Sequence, residues 1–289
     1  MMRRGGAAAF ALLLVLGACS GSSDNSATKS SASSIASSAL SAPEDTMVDV
    51  GGHKLHVVCQ GTGSPAVLIE TGAGQSVSAF NGLQPALAAT NRTCVYERAG
   101  NGTSEASPSP RTAQQVSDEL QLLIENKAIP VPFVLLSHSL GGMYAQLFAA
   151  EHATEIAGLV FLDPRTAEYQ LSYRTHLTPD ELAADAADTA QVIKTEPAGP
   201  EIAAMDLSAA QVKAKGTIPP FPTIVLTAGV PFPGQSESDL TFWRTTHENL
   251  AAQSPKSAWR IVDGAEHDIW RTHATAVLEA VASVVSGNP

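Results

Sequence analysis

The stretch Phe133-Val-Leu-Leu-Ser137-His138-Ser139-Leu140-Gly141-Gly142, continued by Met143-Tyr-Ala-Gln-Leu-Phe-Ala-Ala150, decides the fold. A short apolar run that reads as a buried strand stops at Ser137. An apolar, small-residue run that reads as a helix begins at about Leu140. One hydroxyl, Ser139, lies between them in a turn with no spare residues. A serine in that context is pushed to the tip of a sharp strand-to-helix turn, with its oxygen exposed. The amide of Leu140 and the positive end of the following helix are then placed to stabilise a developing negative charge. Gly141 and Gly142 let the helix pack closely on the strand. The pattern is S-x-S-x-G, with Ser137 where a glycine is usual. The competing reading is an ordinary loop whose serine caps a helix.

Around this stretch the chain reads as one large domain. It has 289 residues, 44% of them apolar and 16% charged, enough for a sizeable core. The net charge is -11, and Arg3-Arg4 is the longest basic run, which argues against a nucleic-acid partner.

Outward towards the N-terminus, Met1-Met2-Arg3-Arg4 is a positively charged start. Ala7 to Leu16 is an apolar run of signal-peptide rather than membrane-spanning length. Leu16-Gly17-Ala18-Cys19 resembles the bacterial lipobox, where cleavage precedes a lipidated cysteine. This implies a lipoprotein signal peptide over 1–18 and a lipid on Cys19. A Ser/Ala-rich tether follows over 19–45. A plain secretory signal is the alternative. Either way the folded domain is expected to be exported, and on the lipobox reading it is anchored to the bacterial cell membrane.

The globular part is expected over 46–289. Thr46–Val50 and Lys54–Cys59 read as strands joined by Gly51-Gly52, a tight hairpin. Further strands are expected at 66–70, 92–97, 133–137, 156–162, 223–227 and 258–262. Helices are expected within 75–89, at 112–126, after Leu140, at 239–254 and at 273–285. A hairpin followed by alternating strands and helices predicts an α/β architecture, a mostly parallel eight-stranded sheet with helices on both faces. The Ala-rich segment 165–221 interrupts the alternation and is broken by Pro179, Pro197, Pro200 and Pro219-Pro220. It reads as a small helical cap rather than a second domain.

Four motifs stand in one order along this part. They are Gly61 to Gly74, ending Glu70-Thr71-Gly72-Ala73-Gly74; Tyr96-Glu97-Arg98-Ala-Gly100-Asn-Gly102-Thr-Ser104; the Ser139 turn; and Gly264-Ala-Glu266-His267. In these the chain resembles the α/β-hydrolase-fold serine hydrolases, bacterial esterase and lipase-like members above all. Glu97 replaces the aspartate usual in the second motif.

The resemblance implies a serine nucleophile, then an acid, then a histidine in chain order. Ser139 is the nucleophile candidate. His267 is the base candidate, because it alone of the eight histidines follows the last strand in a short loop. His138, next to the nucleophile, is expected to point away from it. The acid is expected at Asp163, after the strand that precedes the cap, because Ala228 to Gln235 carries no carboxylate; Asp239 and Glu237 are the reserves. Asp163 has a second reading, as the cap of a following helix with Pro164 at its first position. The oxyanion site is assigned to the amides of Ala73 and Leu140. Glu70 and Arg98 are expected to form structural ion pairs, and Trp243 and Trp270 to pack.

The fold also sets the second strand beside the fourth. With Cys19 assigned to lipid, a disulfide between Cys59 and Cys94 is expected in an exported chain. No cofactor and no metal are expected. Glu266, His267 and Asp268 are adjacent in sequence and badly placed to chelate one ion. The implied activity is hydrolysis of a small-molecule carboxylic ester through an acyl-enzyme. Cleavage of a thioester, peptide or C–C bond, and a non-catalytic binding role, are the alternatives.

Overall fold

The structure is a computed structural model and describes residues 42–108 and 110–289. Cys19, the 1–18 segment and most of the 19–45 tether lie outside the described residues.

In chain order the elements are β1 (Glu44–Asp49), β2 (Lys54–Gln60), β3 (Ala66–Glu70), α1 (Gln84–Ala88), β4 (Thr93–Tyr96), α2 (Ala113–Glu125), β5 (Phe133–His138), α3 (Gly141–Glu151) and β6 (Ile156–Leu162). Then come α4 (Ala167–Ser172), α5 (Pro179–Thr195), α6 (Gly199–Ala203), α7 (Met205–Lys215), β7 (Thr223–Ala228), α8 (Glu237–Ala251), β8 (Ser257–Val262) and α9 (Trp270–Val285). The sheet begins at Glu44, two residues inside the stretch expected to be tether. The α4–α7 helices fill the segment expected to form a cap. α9 starts earlier than its periodicity suggests, with a kink at His273.

The eight strands form one sheet in the order β1-β2-β4-β3-β5-β6-β7-β8. β1 pairs antiparallel with β2, and β2 with β4; every other pairing is parallel. Alternation along the strands builds two cores. Leu68, Phe133, Leu135, Leu159, Phe161 and Val225 face α2, α3 and α8, through Leu120, Leu123, Phe148 and Leu250. Val67, Ile69, Val134, Leu136, Val160, Ile224 and Leu226 face α1 and α9, through Leu87, Val277 and Val281. Central strands covered on both faces read as near-continuous apolar runs, as β3, β5, β6 and β7 do. Burying a Leu, Ile, Val or Phe contributes about 1.5–3 kcal/mol, so these strands form the rigid platform from which the loops project.

Cys59 and Cys94 are register partners on β2 and β4, with Cα atoms 4.1 Å apart, and their sulfurs are bonded. The hairpin is thereby tied to the sheet by a covalent cross-link as well as by its backbone ladder.

Candidate active site

β5 to β8 are parallel neighbours, so their carboxyl ends lie on one edge of the sheet. Ser139 follows β5, Asp163 follows β6, and His267 lies in the loop between β8 and α9. Ser139 has φ of 51°, a left-handed conformation rare for a residue with a Cβ. The elbow is held by its own backbone. The amide of Ser139 donates to the carbonyl of Leu162 (3.2 Å), and its carbonyl accepts from the amides of Gly142 (2.9 Å) and Arg165 (2.8 Å). Gly141 and Gly142 are required by close approach. A Cβ on Gly141 would sit 2.5 Å from the carbonyl oxygen of Thr71, and one on Gly142 2.5 Å from the Cβ of Pro164. Ser137, in the place of the first glycine, is fully buried, and its hydroxyl has no partner among the described residues.

Asp163 and His267 are brought together. The Nδ1–H of His267 donates to Oδ2 of Asp163 at 2.7 Å. The ring is thereby fixed in the tautomer that leaves Nε2 free to accept a proton. Oδ1 of Asp163 accepts from the amide of Ala228 (3.1 Å) and the indole N–H of Trp243 (2.9 Å). Burial opposes the charge on Asp163. The His267 hydrogen bond, the nearby His247 and His267 and the Trp243 hydrogen bond outweigh it and hold the carboxyl below its ordinary range. Trp243 therefore does more than pack: it supplies a donor to Asp163. Asp239, the reserve, is committed elsewhere, accepting from the hydroxyl of Tyr169 (2.7 Å) and from Gln235 (2.8 Å). Glu237 lies in the first turn of α8.

The two amides assigned to the oxyanion site, those of Ala73 and Leu140, have no acceptor among the described residues. The loop carrying Ala73 is braced from both sides. Oε1 of Gln75 accepts from the amide of Gly72 (2.7 Å) and faces Nδ1 of His138 (3.0 Å). Nε2 of His138 faces the carbonyl of His267 (3.3 Å), so a neutral ring donates to Gln75 Oε1 or to that carbonyl, according to its tautomer. Arg98 is fully buried and donates to the carbonyls of Thr71 (2.6 Å) and Gly72 (2.8 Å).

His138 lies beside His267, a neighbour that its sequence position does not indicate. Its ring is buried and lies with its centroid 4.5 Å from that of His267 and 4.6 Å from that of Trp270. Strand alternation does send it to the α1/α9 face, but the loop after β8 folds onto that same face and brings His267 to it. Burial, followed by the neighbouring His267, pushes the His138 ring well below its ordinary value. It lies between the His267 ring and the loop carrying Ala73. Trp270 packs as expected, stacked on Phe80 at 4.6 Å with its N–H on the carbonyl of Ala79. Phe232 lies with its centroid 4.7 Å from the His267 ring and lines a cavity of about 420 Å³ together with Arg165, Tyr169, Tyr173 and Trp243. No sequence signal marks Phe232 or Gln75, because each acts through loop packing rather than through a motif. No group of three or more His, Cys, Asp or Glu able to hold a metal ion occurs among the described residues.

The comparisons agree with this architecture. A family model described as alpha/beta hydrolase fold matches residues 65–193. The enol-lactonase from Burkholderia xenovorans is 18% identical with a TM-score of 0.62, the alignment covering 83% of this chain and all of that one (100%). An epoxide hydrolase of Vigna radiata is 15% identical with a TM-score of 0.65, covering 84% of this chain and 98% of that one. An uncharacterized protein of Schizosaccharomyces pombe is 26% identical over 224 residues, 66% of this chain and 40% of its own length. This chain spans less than half the length of the first three curated relatives it matches, at 40%, 18% and 42%. Sheet order and these likenesses define an α/β-hydrolase fold.

Proposed function

We propose that the chain is a serine hydrolase that cleaves carboxylic esters through an acyl-enzyme. The observation that carries the reading is the 2.7 Å hydrogen bond between His267 Nδ1 and Asp163 Oδ2, on the same sheet edge as the strained Ser139 elbow. A serine hydroxyl is a poor nucleophile at neutral pH and needs such an oriented base. His267 Nε2 takes the proton of Ser139 as Oγ attacks the ester carbonyl. The amides of Ala73 and Leu140 hold the oxyanion. The tetrahedral intermediate collapses, and the alcohol leaves with the proton from His267. Water, deprotonated by the same nitrogen, then releases the acid and restores Ser139. Asp163 stays ionised throughout and stabilises the imidazolium as it forms.

The enol-lactonase of the same fold is named for a cyclic ester, which would follow the same steps. Epoxide opening by a serine oxygen would leave an ether that water cannot readily cleave, so the Ser139 site favours acyl transfer over that chemistry. A fluorophosphonate probe should label the protein and fail to label Ser139→Ala. Short p-nitrophenyl esters should be turned over by the native chain and not by that variant. Undiminished labelling of Ser139→Ala would sink the assignment.

We also propose export, and anchoring to a bacterial membrane through a lipid on Cys19. The support is the sequence alone: Arg3-Arg4, the apolar run, Leu16-Gly17-Ala18-Cys19 and the Ser/Ala-rich tether. Cys19→Ser should move the protein from the membrane fraction to the soluble one. A native protein already soluble and lacking Cys19 would overturn the idea.

A further inference from the structure

The α6 helix of the cap ends a chain of charged contacts that begins at the oxyanion loop. Glu201 on α6 is buried and accepts two hydrogen bonds from one guanidinium, from Arg98 Nε (2.6 Å) and from Nη2 (3.0 Å). The same guanidinium donates from Nη1 to Glu70 (2.6 Å) and to the carbonyl and hydroxyl of Thr71, and from Nη2 to the carbonyl of Gly72. The Gly72 carbonyl and the Ala73 amide belong to one peptide unit. That unit is rigid and planar, with C=O and N–H pointing in opposite directions. Whatever holds the Gly72 oxygen therefore aims the Ala73 N–H. The guanidinium hydrogen bond to that oxygen also polarises the unit, which strengthens the donor on its far side.

Resting on the acyl-transfer reading above, we propose that Glu201 is a positioning residue for the oxyanion site. Through Arg98 it fixes the Gly72–Ala73 peptide plane, so that the cap and the transition-state binding group form one mechanical unit. Arg98 alone does not suffice for this. A guanidinium has five N–H donors in a fixed fork, and the orientation of its plane is set by its firmest partner. Glu70 grips only Nη1 and shares its other oxygen with the hydroxyl of Tyr96. Glu201 is the carboxylate that grips both Nε and Nη2, and so fixes the plane and the nitrogen that holds Gly72.

The test is kinetic. Glu201→Gln keeps the side-chain volume but sets one amide N–H against an N–H of Arg98. Glu201→Asp keeps the charge one methylene short. Displacing one oxyanion donor costs up to about 10²–10³ in turnover. Glu201→Gln should accordingly lower kcat on a short p-nitrophenyl ester about 10–100-fold, with KM within about threefold. Glu201→Asp should lie between this variant and the native chain. A phenylboronic acid, which adds to Ser139 Oγ as a tetrahedral anion, should lose affinity in proportion to kcat/KM across the series. A retained kcat, a rise confined to KM, or boronate affinity that does not follow kcat/KM would overturn the proposal. Amide exchange at Gly72 and Gln75, both hydrogen-bonded within this loop, should quicken in Glu201→Gln. That readout needs no turnover. If the native chain cleaves no ester, the acyl-transfer reading fails, and unchanged exchange would then overturn the positioning role separately.

Discussion

Acid should weaken the fold through one histidine behind Asp163. His247 is fully buried on α8, with its centroid 4.8 Å from that of Trp243 and Nδ1 3.9 Å from Oδ1 of Asp163. Its Nε2–H donates to the carbonyl of Pro164 (2.7 Å), and its Nδ1 accepts from the hydroxyl of Thr227 (2.7 Å). That hydroxyl in turn accepts from the indole of Trp259 (2.8 Å). Both ring hydrogen bonds can be made by the neutral ring. Burial pushes its pKa down from 6.5 to about 4, although the Asp163 charge and the Pro164 carbonyl pull the other way.

The folded value is thus below the unfolded one, and between them the unfolded chain binds the extra proton. The stability from this group is full above about pH 6.5 and is lost as the pH falls towards 4. A span of about 2.5 pH units at about 1.4 kcal/mol each gives about 3–4 kcal/mol in full, of which about 3 kcal/mol is lost by pH 4.5. Urea unfolding followed by tryptophan fluorescence, stepped from pH 7.5 to 4.5, should show this slope. His247→Gln should start less stable at pH 7.5 and close the gap by about 3 kcal/mol at the acid end. His138 contributes a slope of the same sign in both proteins, since its ring too is held well below 6.5. Asp163, held below its ordinary value, loses its contribution only at lower pH, beneath the histidine window. Parallel stability curves for the two proteins would refute the argument.

Other outcomes follow from single contacts. Asp163→Asn should lower kcat by about 10⁴-fold on esters with binding largely kept, because the histidine loses the partner that fixes its tautomer. A dead Asp239→Asn beside an active Asp163→Asn would overturn that placement. Ser137→Ala removes a buried hydroxyl that has no partner among the described residues. It should stabilise the fold by about 1 kcal/mol in urea titration, and a loss of stability would show that the hydroxyl is satisfied. Reducing Cys59–Cys94 opens a loop with a sequence separation of 35 and should cost about 3–4 kcal/mol by chain entropy. Identical urea midpoints with and without reductant would contradict this.

The elbow was legible because the strand, the forced serine and the small-residue helix are contiguous in sequence, so local rules decide them. The two-sided core was legible for a similar reason, since apolar runs of strand length between helical patterns have few other homes. Cap chemistry was not legible. Glu201 follows Pro200 in an Ala-rich segment and looks like a solvated acid. Its partner lies 103 positions away and becomes visible only when α6 meets the loop after β4. The direction of His138 shows the same limit. Alternation gave the face correctly, but the loop that reaches that face comes from residues 263–269, and no local pattern encodes its path.

The reach of Asp163 to His267 shows how topology can substitute for sequence position. β6 and β7 are adjacent and parallel, with Leu162 paired to Leu226. The chain leaving β6 crosses towards its neighbour at once. The Asp163 amide donates to the carbonyl of Leu226 (2.7 Å), and its Oδ1 accepts from the amide of Ala228, the last residue of β7. Asp163 makes this turn with φ of 42°, a conformation that aspartate tolerates better than most residues. Its carboxylate therefore reaches the end of β7 and faces His267 without any acid in Ala228 to Gln235. The loop after β7 is freed from supplying charge, and it places Phe232 against the His267 ring instead. With Asp163 as the proposed acid, the β7 loop contributes Phe232 to a cavity wall rather than a carboxylate. A carboxylate introduced after β7 would have to share His267 Nδ1 with Asp163, and two buried like charges on one donor is the arrangement this geometry avoids.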